Sequence, residues 1–100
     1  IAHIGTIISA ATIAQAERLG KNGRDVLRAM VLGYEVGGRI DESLTPGRGE
    51  KGFHGSVSTV FGGTVANGIL LGLNAAQMEQ AIAIAATSPT SRSPWPACAP

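Results

Sequence analysis

Apolar positions recur every three or four residues in four stretches of the chain, a spacing that gathers side chains on one face of a helix. The stretches cover about 6–19, 24–42 and 56–72, and a fourth follows Asn74. Strand-like alternation of useful length is absent from the sequence. The pattern therefore predicts an all-α fold with about four helices over residues 1–88.

The same spacing assigns an apolar face to each predicted helix. The face of the first helix holds Ile4, Ile7, Ile8, Ala11 and Ala14, and that of the second holds Leu27, Met30, Val31 and Tyr34. The face of the third holds Val57, Val60, Phe61, Val65 and Ile69, and that of the fourth holds Met78, Ala81, Ile82 and Ala85. The second stretch is the most clearly amphipathic, because Asp25 with Arg28, and Glu35 with Arg39, can form ion pairs on exposed faces.

Caps and glycines refine this picture. We expect Ser56 to cap the third helix, and Asn74 with Gln77 to form a capping box at the start of the fourth. The third helix also contains Gly62, Gly63 and Gly68. Each interior glycine costs about 1 kcal/mol relative to alanine, so their presence indicates that another backbone packs closely there.

The last residues, 89–100, read PTSRSPWPACAP and cannot continue a helix. We expect an irregular tail that is either a flexible chain end or foreign to the preceding domain, for example an out-of-frame stretch. The chain starts at Ile1 without an initiator methionine, which favours a truncated domain over 1–88. The long loop expected over 43–55 is the segment most suited to a functional role.

Charge and cysteine content narrow the possible functions. A net charge of +1 gives no field that would gather nucleic acid or an anionic membrane. Cys98 is the only cysteine, and two histidines about fifty positions apart are no metal signature. The most weakly charged stretch is broken by glycines and is unsuited to a membrane span, and no export signal is present. We expect a cytoplasmic protein that binds neither nucleic acid nor membrane.

Candidate chemistry concentrates in EKGFHGS, residues 50–56. Arg48, Lys51 and His54 precede a predicted helix start, where the positive dipole end and the backbone amides favour an anion such as a carboxylate. His54 adds a group whose proton moves near neutral pH, as general acid–base catalysis requires. The alternative is a partly exposed loop histidine beside two solvated charges.

His3 stands in the analogous place before the first helix. The two histidines would converge on one cleft if both helices began at the same end of the bundle, which the sequence alone leaves open. The alternative for His3 is a loose chain end.

Three runs in this order resemble the amino-terminal helical domain of the MmgE/PrpD family. They are GYEVGGRI (33–40), GFHGS (52–56) and FGGTVANGILLGLNAAQMEQAIAIAATS (61–88), and the similarity covers about 3–88. The resemblance implies a much longer, two-domain enzyme, usually a homodimer, that needs no metal or organic cofactor. Such enzymes act on small di- or tricarboxylates by proton transfer beside a carboxylate. The family's known activities are those of 2-methylcitrate dehydratase, cis-aconitate decarboxylase and iminodisuccinate epimerase. The commonest assignment is 2-methylcitrate dehydratase, which is a lyase of propionate metabolism.

The resemblance also assigns roles to single residues. It makes His54 and, with less support, His3 the catalytic candidates, since Ile4 replaces the proline that usually follows the first histidine. The candidates for substrate binding are Ser56, which falls in the matched segment, and Arg48 and Lys51, which are nominated by their position before the predicted helix start. Tyr34 and Glu35 match a segment that we assign to helix packing.

Two function classes stay open. The family's acidic residue before the first histidine and its lysine-bearing segment fall outside this sequence, so we expect the fragment alone to be inactive. The chain is either part of a carboxylate lyase or isomerase, or a helical module that only packs or binds a partner. Four short helices cannot cover all their apolar faces, so we also expect exposed apolar surface and self-association.

Overall fold

The computed structural model describes residues 4–44 and 57–87, and every regular element in these two ranges is an α-helix. The helices are α1 (Ile4–Leu19), α2 (Gly23–Leu44), α3 (Val57–Leu71) and α4 (Ala75–Ala86). The predicted all-α fold is confirmed. The loop expected over 43–55 begins later than predicted, because α2 continues through Leu44. The remainder of that loop, the Ser56 cap and the tail at 89–100 lie outside the described residues.

Side-chain caps define the starts of α2 and α4. The Asn74 side chain accepts from the Gln77 amide at 2.9 Å, and the Gln77 side chain accepts from the Asn74 amide at 3.0 Å, which confirms the predicted capping box. At the start of α2, the Asn22 side chain accepts from the Asp25 amide at 2.9 Å, and the Asp25 carboxylate accepts from the Asn22 amide at 3.4 Å. Asn22 therefore caps α2 with Asp25 as its reciprocal partner, and no ion pair joins Asp25 to Arg28 in this part of the chain.

Left-handed glycines end α1 and α3. Gly20 has φ of 67° and Gly72 has φ of 75°, a backbone region that favours glycine because it has no side chain. The residue after each glycine donates its amide back into the helix, Lys21 to Ala16 at 2.9 Å and Leu73 to Gly68 at 3.0 Å. These bonds satisfy terminal carbonyls and turn the chain into the next helix.

The first three helices form two antiparallel hairpins that share α2. Gly33 of α2 lies against Gly62 of α3, and further along α2 Asp41 lies against Ser58, nearer the start of α3. Ile8 of α1 contacts both glycines. Because α1 and α3 are each antiparallel to α2, they run in the same direction. The fourth helix packs on α3 through Met78.

The core between these helices is built from few large side chains. Its fully buried apolar members are Ile8, Ala16, Ala29, Ala66 and Leu70, with Ile4, Leu19, Val26 and Ile69 packed partly buried around them. Thr12 is also buried, and its hydroxyl donates to the Ile8 carbonyl at 2.5 Å, so burial leaves it satisfied.

Glycines let the helix backbones approach each other. A Cβ added at Gly62 would lie 2.5 Å from Ile8 Cδ1 and 2.7 Å from the Gly33 carbonyl oxygen, which confirms the predicted close packing at this position. At Gly68 the crowding group is the flexible Met78 side chain, at 2.6 Å. A Cβ at Gly63 would meet only Ile7 at 3.9 Å, an ordinary contact, so the prediction was wrong for Gly63.

The predicted apolar faces of α1 and α2 are partly wrong. In α2, Leu27 is 67% exposed, Val31 66% and Tyr34 40%, while the buried positions are Ala29, Gly33 and Gly37. The helix is turned so that its small residues face α3, because the close approach there leaves no room for larger side chains. In α1, Ile7 and Ala14 are exposed and the buried positions are Ile8, Thr12 and Ala16.

Three predictions about surfaces are confirmed. In α4, the four members of the predicted apolar face are all buried or half-buried: Met78, Ala81, Ile82 and Ala85. On α2, Glu35 and Arg39 form the predicted ion pair on the exposed side of the helix. The expected exposed apolar surface is also present, and among the described residues it is spread over all four helices.

Candidate functional site

The five residues that the sequence nominates for chemistry all lie outside the described ranges. They are His3, Arg48, Lys51, His54 and Ser56. Each nevertheless attaches to a described helix. His3 is bonded to the first residue of α1, and the other four precede the first residue of α3 along the chain.

The described helices show that α1 and α3 begin at the same end of the bundle. Ile8 is the fifth residue of α1 and Gly62 the sixth of α3, and a Cβ at Gly62 would lie 2.5 Å from the Ile8 side chain. Because the two helices run in the same direction, their first turns are level with each other. The sequence alone left open whether both helices begin at the same end of the bundle, which the convergence of the two histidines requires. The structure shows that they do.

Two positive helix-dipole ends are thus brought to one end of the bundle. Neither first turn carries an acidic residue, so α1 and α3 themselves do not neutralise them. Helix amino termini of this kind favour anions. The carboxyl end of α2, with Asp41 and Glu42, lies at the same end and adds negative charge.

A polar contact that the sequence did not indicate joins α2 to α3 at this end. The Ser58 hydroxyl donates to the Asp41 carboxylate at 3.2 Å, and Ser58 is 1% exposed. The bond links the end of α2 to the first turn of α3. Segment 45–56 connects these two helices along the chain. The bond thereby fixes the separation between the points where that segment leaves one helix and enters the next.

A second polar contact at this end of the bundle lies beside the first turn of α1. The Tyr34 hydroxyl is 3.3 Å from the Ser9 hydroxyl, and a Cβ at Gly5 would lie 2.8 Å from it. Tyr34 thus contacts α1, in agreement with the packing role assigned to it. Glu35 does not pack in this way, because it is exposed and pairs with Arg39.

Two kinds of feature are absent from residues 4–44 and 57–87. No group of three or more histidine, cysteine or acidic side chains is placed to hold a metal ion. None of the four helices combines the length and the apolar character needed to cross a bilayer.

Comparison with known proteins adds evidence of a different kind. The profile of the MmgE/PrpD N-terminal domain matches residues 1–95. Two curated sequences of cis-aconitate decarboxylase, from Aspergillus terreus and from its strain NIH 2624 / FGSC A1156, are each 35% identical over 92 residues. The alignment covers 85% of this chain and 19% of each relative.

The chain therefore spans about a fifth of the length of these curated relatives. No solved structure matches it.

Proposed function

Because this chain belongs to the MmgE/PrpD family, we propose that it supplies the amino-terminal helical part of an enzyme acting on a small di- or tricarboxylate. The reaction class is proton transfer at a carbon beside a carboxylate. One observation carries the proposal: α1 and α3, the helices that follow His3 and His54, begin at the same end of the bundle.

Chain connectivity limits how far the candidate residues can lie from this end. Successive Cα atoms are about 3.8 Å apart, so the His3 Cα lies about 3.8 Å from that of Ile4. His54 precedes Val57 by three residues, which bounds its Cα to within about 11 Å of Val57. Both imidazoles are thus tethered to neighbouring helix starts, where a substrate carboxylate is favoured.

We assign complementary roles to the tethered groups. His54 transfers the proton, and His3 assists it as a second imidazole. Arg48 and Lys51 bind the substrate carboxylates by charge-assisted hydrogen bonds, and Ser56 donates a further bond. The two cations are needed because the Asp41 carboxylate already places negative charge beside the first turn of α3.

The proposed ligand is a tricarboxylate of the cis-aconitate type, since the curated relatives are named cis-aconitate decarboxylase. In decarboxylation the bond between a carbon and its carboxylate breaks, carbon dioxide leaves, and the electron pair on carbon takes a proton. Imidazolium at His54 would supply that proton. The comparisons give no separate support for dehydration of 2-methylcitrate, which the resemblance alone suggested.

Calorimetric titration of the 100-residue chain with cis-aconitate tests this proposal. Loss of a charge-assisted hydrogen bond costs about 1.5–3 kcal/mol, so His54→Ala and Lys51→Ala should each weaken binding roughly tenfold or more. Lys21→Ala is the charge-matched control, because Lys21 lies in the turn between α1 and α2, at the opposite end of the bundle.

The proposal fails if the wild-type chain does not bind cis-aconitate, or if His54→Ala and Lys51→Ala bind as well as the wild type. Either result would favour a helical module that packs without catalysis. Weakening by Lys21→Ala to the same degree would show that the interaction is only general attraction between charges.

A further inference from the structure

The three asparagines of the chain stand in three different local settings. Asn22 caps α2 and is followed by glycine, whereas Asn74 caps α4 and is followed by alanine. Asn67 lies inside α3 and is followed by glycine. The following residue and the local backbone structure both control a spontaneous reaction of asparagine, the loss of its side-chain amide as ammonia. The three settings separate these two factors.

The reaction starts with an attack by the backbone nitrogen of the following residue on the side-chain carbonyl carbon of the asparagine. A carbon–nitrogen bond forms and closes a succinimide ring, the bond to the side-chain nitrogen breaks, and ammonia leaves with the proton of the attacking amide. Water then opens the ring at either carbonyl. Opening at the former side-chain carbonyl gives aspartate, and opening at the main-chain carbonyl gives isoaspartate.

Asn22 and Gly23 provide an open setting for this attack. Glycine leaves the attacking nitrogen unshielded by a side chain and gives the backbone freedom to turn toward the ring geometry. Both residues are exposed, and a Cβ added at Gly23 would meet no atom within 4 Å. Gly23 is the first residue of α2, so its amide is one of those that have no partner inside the helix.

The cap of α2 slows the attack without preventing it. The Asn22 side-chain oxygen accepts from the Asp25 amide at 2.9 Å, and this bond must open before the side chain can reach the Gly23 nitrogen. Helix ends open more readily than helix interiors. The reaction at Asn22 therefore requires only the first turn of α2 to open.

Asn67 is held much more firmly, although glycine follows it as well. Its side-chain nitrogen donates to the Gly63 carbonyl at 2.9 Å, and Gly68 is buried. A Cβ at Gly68 would lie 2.6 Å from the Met78 side chain, so this part of α3 is crowded. Ring closure here would require the middle of a packed helix to unfold.

Asn74 has the same kind of cap as Asn22 but a different following residue. Its side chain and that of Gln77 form the reciprocal bonds of 2.9 and 3.0 Å at the start of α4. The next residue is Ala75, whose Cβ hinders the approach of its backbone nitrogen to the side chain. Asn74 thus matches Asn22 in local structure and lacks only the glycine.

We propose that Asn22 is a site of spontaneous deamidation, and that Asn67 and Asn74 are protected in the folded chain. Aspartate as the product keeps the cap, because a carboxylate is favoured at a helix start. Isoaspartate routes the main chain through the former side chain. The carbonyl that accepts from the Val26 amide at 3.1 Å then becomes a free carboxylate, so the start of α2 is loosened.

Incubation of the folded 100-residue chain at mildly alkaline pH tests the proposal, with the products read by mass spectrometry of peptic peptides. Pepsin acts at acidic pH, where ring closure is slow, so digestion adds no product of its own. The peptide with Asn22 should gain the mass of an exchange of amide for acid, in aspartate and isoaspartate forms. Peptides with Asn67 or Asn74 should stay unmodified.

Concentrated urea provides the control for local structure. In the unfolded chain, Asn67 should react at a rate close to that of Asn22, because glycine follows both residues. Asn74 should stay slow in urea, because the alanine after it is unchanged by unfolding. Circular dichroism confirms that the chain is helical in the native incubation and unfolded in urea.

Two reciprocal substitutions test the role of the following residue. Gly23→Ala should slow the reaction at Asn22 at least about tenfold, because the added methyl group shields the attacking nitrogen. Ala75→Gly should make Asn74 reactive in the folded chain, because it then has both the cap and the glycine of Asn22. Each variant leaves the other asparagine as an internal reference.

Three results would overturn the proposal. If Asn22 stays intact in the folded chain while Asn67 reacts fully in urea, the cap prevents the reaction instead of slowing it. Equal reaction of Asn22 and Asn67 in native buffer would show that α3 does not protect its asparagine. Products free of isoaspartate, formed at the same rate in Gly23→Ala, would exclude ring closure as the route.

Discussion

The two faces of α2 do not follow the usual rule that the larger apolar side chains of a helix are the buried ones. The inner face holds Ala29, Gly33 and Gly37, which are buried, and the outer face holds Leu27 and Val31, which are about two-thirds exposed. The side chains with less apolar area are thus the buried ones. Burial of α2 follows the closeness with which it can approach α3, since protein interiors require dense packing.

This difference identifies the inner face as the part of α2 that stabilises the bundle. The α2 and α3 backbones meet at Gly33 and Gly62, and Ile8 of α1 fills the space beside them. Many short contacts between close backbones then replace the area that a larger side chain would bury. The outer face contributes little within one chain, so changes on the two faces should differ in size and in sign.

The largest loss is expected from Ile8→Ala. Ile8 is fully buried and contacts both Gly33 and Gly62, so truncation leaves a cavity where three helices meet. The free energy of unfolding should fall by about 3 kcal/mol, the middle of the range for such truncations. Urea denaturation followed by circular dichroism measures it. A loss below about 1 kcal/mol would contradict the packing described here.

Gly62→Ala should be the next largest. The added methyl group would lie 2.5 Å from Ile8 Cδ1 and 2.7 Å from the Gly33 carbonyl oxygen, and the oxygen belongs to backbone that cannot move easily. We expect a loss of about 2 kcal/mol in unfolding free energy, within the range for overpacked cores. An unchanged or raised stability would show that the two helices are not in close contact at this point.

Gly38→Ala is the matched change on the outer face and should have the opposite sign. No atom lies within 4 Å of the added Cβ, so only helix propensity changes. The free energy of unfolding of the monomer should rise by about 1 kcal/mol. Thermal unfolding in dilute solution gives the value, and a decrease would be evidence against the open environment of Gly38.

Leu27→Gln and Val31→Gln should have the smallest effect on the monomer. Both side chains are mostly exposed, so replacing them removes little buried area. The unfolding free energy should change by no more than about 0.5 kcal/mol in dilute solution. A loss as large as that of Gly62→Ala would mean that the outer face is covered within the chain, and the comparison between the faces would then be wrong.

Sequence patterns predicted the parts of the fold that depend on near neighbours. The four helices, the Asn74 capping box and the Glu35–Arg39 pair each involve residues within one or two turns of each other. The orientation of α2 depends on a distant partner instead. Gly33 and Gly37 lie four residues apart on one face of α2. This spacing indicates close helix packing, as the glycine at position 62 does in α3.

The candidate site divides in the same way. His54 and the nearby cations could be nominated because they precede a predicted helix start in the sequence. The shared end of α1 and α3, and the Ser58–Asp41 hydrogen bond across 17 positions, follow only from the arrangement of whole helices. Residues 45–56 lie between Asp41 and Ser58 in the chain. The hydrogen bond is made by residues outside this segment, so the sequence of the segment alone could not predict it.

Mapping the backbone amide chemical shifts of the chain during titration with cis-aconitate tests the central claim most directly. A carboxylate site at the shared end of α1 and α3 predicts that the shifts change in the first turns of these helices, at residues such as Gly5 and Ser58. Lys21 and Leu73, in the turns at the other end of the bundle, should keep their shifts. Changes confined to those turns, or no change at saturating ligand, would contradict the proposed site.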